Sequence, residues 1–138
     1  MAAATMNTEQ ARFNMIQQQI RPWEVLDPEV LSLLAIVKRE DFAPAAHKDL
    51  AFADVEIPLK ADAKPCQTML APRVEARMLQ ALGIRNTDKV LEIGAGSGYM
   101  AALGVIAAAL GVDGPDDAEA VTIDVLPVFE RPRNWRRG

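Results

Sequence analysis

The residues best suited to bind a ligand lie together in one short stretch, from Val90 to Tyr99. An apolar segment ending in Glu92 and Ile93 is followed at once by three glycines, at positions 94, 96 and 98. The apolar segment predicts a β-strand, and the alanine-rich residues after Tyr99 predict a helix. Glycines at such a junction let the backbone approach a ligand, and the first amides of the helix can donate hydrogen bonds to an anionic group. The stretch therefore predicts a nucleotide-type site at the carboxyl end of a parallel strand.

The spacing of the glycines distinguishes between two kinds of ligand. A dinucleotide fingerprint requires G-x-G-x-x-G, and here Tyr99 stands where the third glycine of that pattern would be. The observed order, Glu92 followed by Gly94, Gly96 and Gly98, resembles the first motif of the class I S-adenosylmethionine (SAM) methyltransferases. That resemblance implies that the glycines cradle the methionine part of SAM and that Glu92 faces its ammonium group. The alternative is a glycine-rich turn that binds no ligand.

Length, composition and charge argue against several other classes of protein. With 138 residues, 50% of them hydrophobic and 25% charged, the chain is predicted to form one globular domain. A net charge of −4 argues against general nucleic-acid binding. The single cysteine, Cys66, excludes an internal disulfide, and no Cys/His cluster predicts a metal site. No secretory signal is recognisable, and the longest apolar stretch, 99–112, is shorter than the ~20 residues of a membrane span. We therefore expect a cytoplasmic protein without a membrane partner.

Two helices are predicted in the first third of the chain. The first is capped by Asn7 or Thr8 and continues to about Ile20. The second begins at Asp27 and is predicted to end in a solvated charged run at 38–41. The residues predicted to face the core are Phe13, Ile16 and Ile20 in the first helix, and Val30, Leu31, Leu34 and Val37 in the second.

A third helix and two further strands are predicted around the glycine motif. The helix covers 72–83, and its predicted inward face consists of Val74, Met78, Leu79 and Leu82. Residues 55–59 predict an edge strand, and 120–125 predict a second parallel strand. Asp124 in that strand could accept hydrogen bonds from ribose hydroxyls. His47, the single histidine, has no Asp, Ser or Cys partner at a catalytic spacing, so we expect no catalytic role for it.

From about Glu9 to Leu103 the sequence resembles the protein-L-isoaspartate O-methyltransferase family. The matching segments are 11–20, 27–34, 38–44, 52–54, 57–59, 67–68 and 90–99. The resemblance implies an α/β fold, with a Rossmann-like class I methyltransferase sheet and an N-terminal helical subdomain. It also implies methyl transfer from SAM to the α-carboxylate of isoaspartyl residues in a damaged protein or peptide, as the first step of repair.

Three features differ from the family pattern. In the 66–70 loop, Leu70 stands where the family has its active-site serine, which leaves Thr68 as the candidate catalytic contact. Asp124 follows the glycines at a longer interval than the ribose-binding acid of the family. The match ends near Gly104 and the chain stops after the second strand, so we expect a C-terminally truncated member with only part of the sheet.

The leading hypothesis is therefore a SAM-dependent protein carboxyl O-methyltransferase. Its expected parts are a helical part with a substrate-side loop (1–66), a partial SAM-binding Rossmann-like domain (67–126) and a basic tail predicted to be disordered (127–138). A second hypothesis is a non-catalytic truncated homologue that binds a partner, or another copy of itself, through an exposed sheet edge. A third is nucleic-acid binding through the arginines of the tail, although the net charge leads us to expect no such partner.

Overall fold

The computed structural model describes residues 7–62, 67–85 and 87–110, and the backbone of a strand at 123–126. Cys66 and the predicted basic tail, 127–138, lie outside these residues. In chain order the elements are α1 (Thr8–Met15), α2 (Pro28–Ile36), β1 (Ile57–Pro58), β2 (Thr68–Met69), α3 (Pro72–Leu82), β3 (Val90–Ile93), α4 (Tyr99–Leu110) and β4 (Ile123–Leu126). A π-helical segment, Ile16–Ile20, and three 3-10 segments, Arg21–Trp23, Arg39–Asp41 and Ala45–Leu50, also belong to the helical part. None of the helices in the described ranges is both long and apolar enough to cross a membrane.

The first two helices begin where the sequence predicts, because both carry a side-chain cap. Oδ1 of Asn7 accepts a hydrogen bond from the backbone amide of Gln10 at 3.2 Å. Oδ1 of Asp27 accepts one from the amide of Glu29 at 2.9 Å, and a proline occupies the first turn of α2. The first helix also extends to Ile20 as predicted, but its last part has the wider turn of a π-helix.

One apolar core joins the π-helical segment to α2, α3 and α4. Its most deeply buried side chains include Met15, Ile20, Leu34, Ile57, Met69 and Leu103. The prediction for α2 is confirmed, since Val30, Leu31, Leu34 and Val37 are all buried. The prediction for Phe13 is wrong, because its side chain is 56% exposed. The π-helical spacing aligns Met15 with Ile20, so the core-facing stripe passes through Met15 instead.

The third helix turns its less apolar face to the core. The buried residues of α3 are Pro72, Glu75, Ala76 and Leu79, which share one face at helical spacing. Met78 and Leu82, predicted to face inward, are 45% and 58% exposed, so the prediction is wrong for both. The reason is that Glu75 has a buried partner, Arg39, and that the small Ala76 lets the helix approach the core closely.

The charged run at 38–41, predicted to be solvated, contributes two ion pairs to the interior, so that prediction is also wrong. Arg39 is only 1% exposed and contacts the carboxylate of Glu75. Oε1 of Glu40 lies 2.5 Å from Nη2 of Arg12, and Arg12 is only 2% exposed. Arg39 and Glu75 are 36 residues apart in the chain, and Arg12 and Glu40 are 28 apart. The local sequence pattern around residue 39 therefore cannot predict either ion pair.

Within the described ranges, the strands form two two-stranded sheets. β1 and β2 are antiparallel, with Ile57 opposite Met69, which confirms a strand in the 55–59 segment. β3 and β4 are parallel and joined through α4, with Ile93 opposite Leu126, which confirms the second parallel strand. In the part of the chain that the structure describes, β4 is the one strand that pairs with β3. Leu91 and Ile93, which share one face of β3, are 58% and 68% exposed.

Candidate functional site

A cleft of about 410 Å3 opens beside the carboxyl end of β3. Its walls come from α3, α4, β3 and two loops: residues 67–70, called here the 67–70 loop, and residues 94–98, called the glycine loop. Four of the residues that the sequence singles out line this cleft, namely Thr68, Glu92, Gly94 and Gly96. A larger cavity, of about 530 Å3, lies at the start of α2 beside Asp27 and Arg85, and none of the predicted site residues lines it.

The glycine loop exposes its backbone to the cleft. Gly94, Gly96 and Gly98 have φ angles of 80°, 54° and 82°, a region that residues with a side chain adopt only at a cost. A Cβ atom on Gly96 would lie 3.6 Å from Cδ1 of Leu59 and 4.0 Å from the carbonyl oxygen of Thr68. A Cβ there would make ordinary van der Waals contacts with both, so the glycine loop and the 67–70 loop lie next to each other along the cleft.

Two acidic residues line the cleft, Glu75 and Glu92, and Glu92 is the more exposed of the two. It lies in the middle of β3, half-buried, and burial raises the pKa of its carboxyl group above the usual value of 4.5. A cation bound nearby would favour the ionised form again. Glu92 therefore suits a positively charged group of a ligand, such as an ammonium group. The neighbouring backbone amides of the glycine loop suit an anionic group of the same ligand.

The 67–70 loop brings one polar and one apolar side chain to the same cleft. The hydroxyl of Thr68 donates a hydrogen bond to Oε2 of Glu56 at 3.1 Å. Leu70 is half-buried, and its backbone carbonyl accepts a hydrogen bond from Arg39 at 2.6 Å. The polar contact available to an acceptor on this side of the cleft is thus Thr68, while Leu70 contributes apolar surface.

The two remaining predicted site residues have different positions. The carbonyl of Gly98 accepts the hydrogen bond of the Ala102 amide at 3.0 Å, so Gly98 starts α4 and is not part of the cleft wall. The backbone of Asp124 pairs with Leu91 inside β4, two residues before that strand ends. The Asp124 side chain lies outside the described part of the structure, so its role stays a prediction. Among the described residues, no three His, Cys, Asp or Glu side chains are grouped as they would be around a metal ion.

Sequence analysis missed a buried cluster behind the 67–70 loop, formed by Arg39, Glu75 and Tyr99. Nε of Arg39 donates to the carbonyl of Ala51 at 2.8 Å, Nη1 donates to Oε2 of Glu75, and Nη2 donates to the carbonyl of Leu70. The guanidinium carbon lies 5.0 Å from the centre of the Tyr99 ring. One signal could have revealed the cluster: Glu75 shares its helix face with Ala76 and Leu79, and an acid on a core-facing stripe requires a buried partner.

Burial dominates the electrostatics of this cluster. It raises the pKa of Glu75 to about 7, while the charge and the hydrogen bond of Arg39 act in the opposite direction. Glu92 across the cleft adds a smaller repulsion that also raises the pKa of Glu75. Burial likewise raises the pKa of the Tyr99 hydroxyl well above 10. The Tyr99 hydroxyl is therefore neutral at physiological pH, whereas the Glu75 carboxyl group ionises at a pH close to the physiological value.

These features coincide with a known family over most of the chain. Residues 10–129 match the family model described as protein-L-isoaspartate(D-aspartate) O-methyltransferase. The chain belongs to this family. A protein-L-isoaspartate O-methyltransferase of Rhodopseudomonas palustris is 47% identical over 94 residues, which cover 67% of this chain and 41% of the relative. Those of Koribacter versatilis and Aeropyrum pernix are 42% and 39% identical, over 70% and 68% of this chain and 42% and 35% of their own length. The chain thus spans about two fifths of the length of these curated relatives.

A solved structure supports the fold. A chain described as a protein-L-isoaspartate O-methyltransferase from Plasmodium falciparum, in complex with S-adenosyl-L-homocysteine, superposes with a TM-score of 0.60. The match covers 90% of this chain and 50% of that one, at 16% sequence identity. The expected fold class is confirmed: the protein is α/β, with part of a Rossmann-like class I methyltransferase sheet and an N-terminal helical part.

Proposed function

We propose that this protein binds SAM and transfers its methyl group to the carboxylate of isoaspartyl residues in damaged proteins or peptides. The observation that carries the proposal is the cleft itself, which the glycine loop, Glu92 and the 67–70 loop line together. Membership of the isoaspartyl methyltransferase family supports the same reaction. The Plasmodium falciparum relative binds the demethylated form of SAM, which supports SAM as the cofactor.

The residues of the cleft fit the chemical groups of SAM. Gly94 and Gly96 hold their backbone open towards the cleft, so peptide amides can approach the methionine carboxylate, and Glu92 offers a carboxylate to the ammonium group. Gly98 is proposed to assist from the start of α4, beside the cleft wall. Asp124 is proposed to bind the ribose hydroxyls. When bound, SAM supplies a methyl group attached to a positively charged sulfur.

The protein itself contributes mainly binding and orientation. A carboxylate acceptor is already nucleophilic at neutral pH, so no residue has to remove a proton from it. Thr68 can contact the acceptor carboxylate by donating its hydroxyl proton to it in place of Glu56. Leu70 and Met78 contribute apolar surface to the cleft beside the reacting groups. Rate enhancement would then depend on holding two reactants in line at a short distance.

Binding of S-adenosylhomocysteine, measured by calorimetry, tests the proposal. Gly96→Val should weaken binding more than tenfold, because a branched side chain would occupy the space beside Leu59 and Thr68. Gly83→Val is the matched control: Gly83 has the same φ of 54°, so the backbone strain is alike, but it lies at the end of α3, outside the cleft. Equal binding by the two variants, or no binding by the wild type, would contradict the proposal.

Methyl transfer to peptides tests the acceptor separately. Wild-type protein should transfer labelled methyl groups to a peptide containing isoaspartate and not to the same peptide with ordinary aspartate. Transfer to both peptides, or to neither while S-adenosylhomocysteine still binds, would mean that the acceptor has been assigned wrongly. Thr68→Ala should raise the KM for the peptide and leave S-adenosylhomocysteine binding unchanged.

A second candidate function is self-association through β3. Leu91 and Ile93 are exposed apolar residues on a strand that pairs with β4 alone among the described residues, and such an edge invites pairing with another chain. Sedimentation velocity of wild type and Ile93→Lys tests this, with Val105→Lys, an exposed apolar residue of α4, as the control. A dimer lost in Ile93→Lys alone would support self-association, and monomeric wild type would refute it.

Three further proposals rest on the sequence alone. The division at residues 66 and 126 can be examined by limited proteolysis, although β1 and β2 pair across the first boundary. A cytoplasmic location and the absence of a nucleic-acid partner remain predictions. The arginine-rich segment of the nucleic-acid hypothesis lies outside the described residues.

A further inference from the structure

One buried side chain of the helical part contacts the segments on both sides of the cleft. Arg39 donates to the backbone of Leu70 in the 67–70 loop, and its guanidinium group lies over the ring of Tyr99, the residue that follows the glycine loop. We propose that Arg39 is a positioning residue, which holds the 67–70 loop at a fixed distance from the glycine loop. This inference rests on the proposed methyl transfer, for which the cleft must align donor and acceptor.

Leu70 is held through both polar atoms of its backbone. Its carbonyl oxygen accepts a hydrogen bond from Nη2 of Arg39 at 2.6 Å, and a backbone hydrogen bond from Leu70 reaches the carboxylate of Glu75. Glu75 in turn contacts Nη1 of Arg39. The three residues form a closed ring of interactions, so the 67–70 loop cannot shift without breaking at least one charge-assisted hydrogen bond.

The other contact of Arg39 reaches the start of α4. Tyr99 is 1% exposed and is packed between Arg39 and Phe42, whose ring centre lies 5.5 Å from its own. Because Tyr99 directly follows Gly98, its position determines where the glycine loop ends and the helix begins. Nε of Arg39 also donates to the carbonyl of Ala51 at 2.8 Å, which anchors the guanidinium group to the helical part.

A lysine could not replace this arrangement. Arginine presents a planar fork of donors that can serve Ala51, Glu75 and Leu70 at the same time, whereas the lysine ammonium is a single point charge. Arg39→Lys keeps the charge inside the protein but releases at least one of the two carbonyls. A displacement of about 1 Å between reacting groups can reduce the rate on the order of 100-fold.

The matched control is Arg12→Lys. Arg12 is also buried and pairs with Glu40 in the helical part, and its ring contact is with Phe52, not with Tyr99. We expect Arg39→Lys to lower kcat about 10- to 100-fold on an isoaspartyl peptide, with a less than threefold change in the dissociation constant of S-adenosylhomocysteine. Arg12→Lys should change neither quantity more than threefold. A merely structural role of Arg39 would shift both quantities together, in proportion to lost stability, and would overturn the proposal.

Hydrogen exchange followed by mass spectrometry provides a readout that needs no activity. In Arg39→Lys the amides of peptides covering 67–71 and 97–102 should exchange at least tenfold faster, while peptides of α1 and α2 keep wild-type rates. Uniform acceleration, or unchanged exchange in both loop peptides, would refute the positioning role. If the wild type neither binds S-adenosylhomocysteine nor methylates the peptide, the proposed function fails, and the exchange rates still decide whether Arg39 holds the two loops.

Discussion

Replacing Arg39 by methionine is expected to destabilise the protein by about 3–5 kcal/mol at pH 8, the range observed when one partner of a buried ion pair is removed. The variant leaves the carbonyls of Ala51 and Leu70 without their donor, at roughly 1–3 kcal/mol for each buried polar atom that stays unpaired. It also leaves the carboxyl group of Glu75, 3% exposed, without its counter-charge. Methionine replaces the aliphatic part of the arginine side chain, so the loss comes mainly from the missing guanidinium group.

The pH dependence of this loss separates the charge from the packing. At pH 8 the wild-type Glu75 carboxyl, with a pKa of about 7, is mostly ionised and needs Arg39. At pH 5 it is protonated with or without Arg39, so the cost of Arg39→Met should be about 1–2 kcal/mol smaller. In a Glu75→Gln background the cost should be the same at both pH values, since the titrating group has been removed.

The assay is urea denaturation followed by far-ultraviolet circular dichroism. Arg73→Met is the control, because Arg73 forms a half-exposed ion pair with Asp54, at 3.1 Å, and such pairs contribute ~0–1 kcal/mol. Circular dichroism is preferred to fluorescence, since the Arg73 guanidinium also lies 4.1 Å from the centre of the Trp23 ring. A loss of about 3–5 kcal/mol corresponds to roughly 10–20 °C in melting temperature for a domain of this size. If Arg39→Met costs no more than Arg73→Met, the cluster is not the stabilising contact inferred here.

Three other outcomes follow from the same structure. The folded-state pKa of Glu75, about 7, lies above its ordinary 4.5, so the folded protein retains a proton that the unfolded chain has lost. The free energy of unfolding should therefore fall by about 3 kcal/mol as the pH rises from 4.5 to 7. Urea midpoints of the Glu75→Gln variant, measured at pH 5 and pH 8, should not show this fall. Asp27→Ala should lower stability by about 1 kcal/mol through loss of the helix cap, seen as a melting temperature a few degrees lower, and an unchanged melt would show that the cap is redundant. Gly83→Ala should lower the free energy of unfolding by about 1–2 kcal/mol, because φ at residue 83 is 54°. No atom within 4 Å would obstruct a Cβ there, so the loss would come from backbone strain alone, and an unchanged urea midpoint would contradict this explanation.

The features that the sequence alone predicted correctly depend on neighbours within a few residues. The caps at Asn7 and Asp27 and the strand–glycine–helix order around Gly94 are local, since each follows from the conformational preferences of consecutive side chains. The family can likewise be recognised from the order of short sequence segments along the chain. These signals suffice to predict that the glycine loop and Glu92 lie side by side, as they do along one cleft, while their role in binding stays a prediction.

Tertiary structure decided which charges are buried and which face of α3 meets the core. Arg39 resembles an ordinary surface residue in sequence, and the spacing of Glu75 from Leu79 is its one local indication of burial. Burial of either charge is tolerable only once the fold brings the other within hydrogen-bonding distance. The same pairing turns Pro72, Glu75, Ala76 and Leu79 inward and leaves the more hydrophobic Met78 and Leu82 beside the cleft. The hydrophobic pattern of α3 reflects only the side chains of that helix. Which face of α3 is buried also depends on Arg39, 36 residues before Glu75, and only the folded chain brings Arg39 next to the helix.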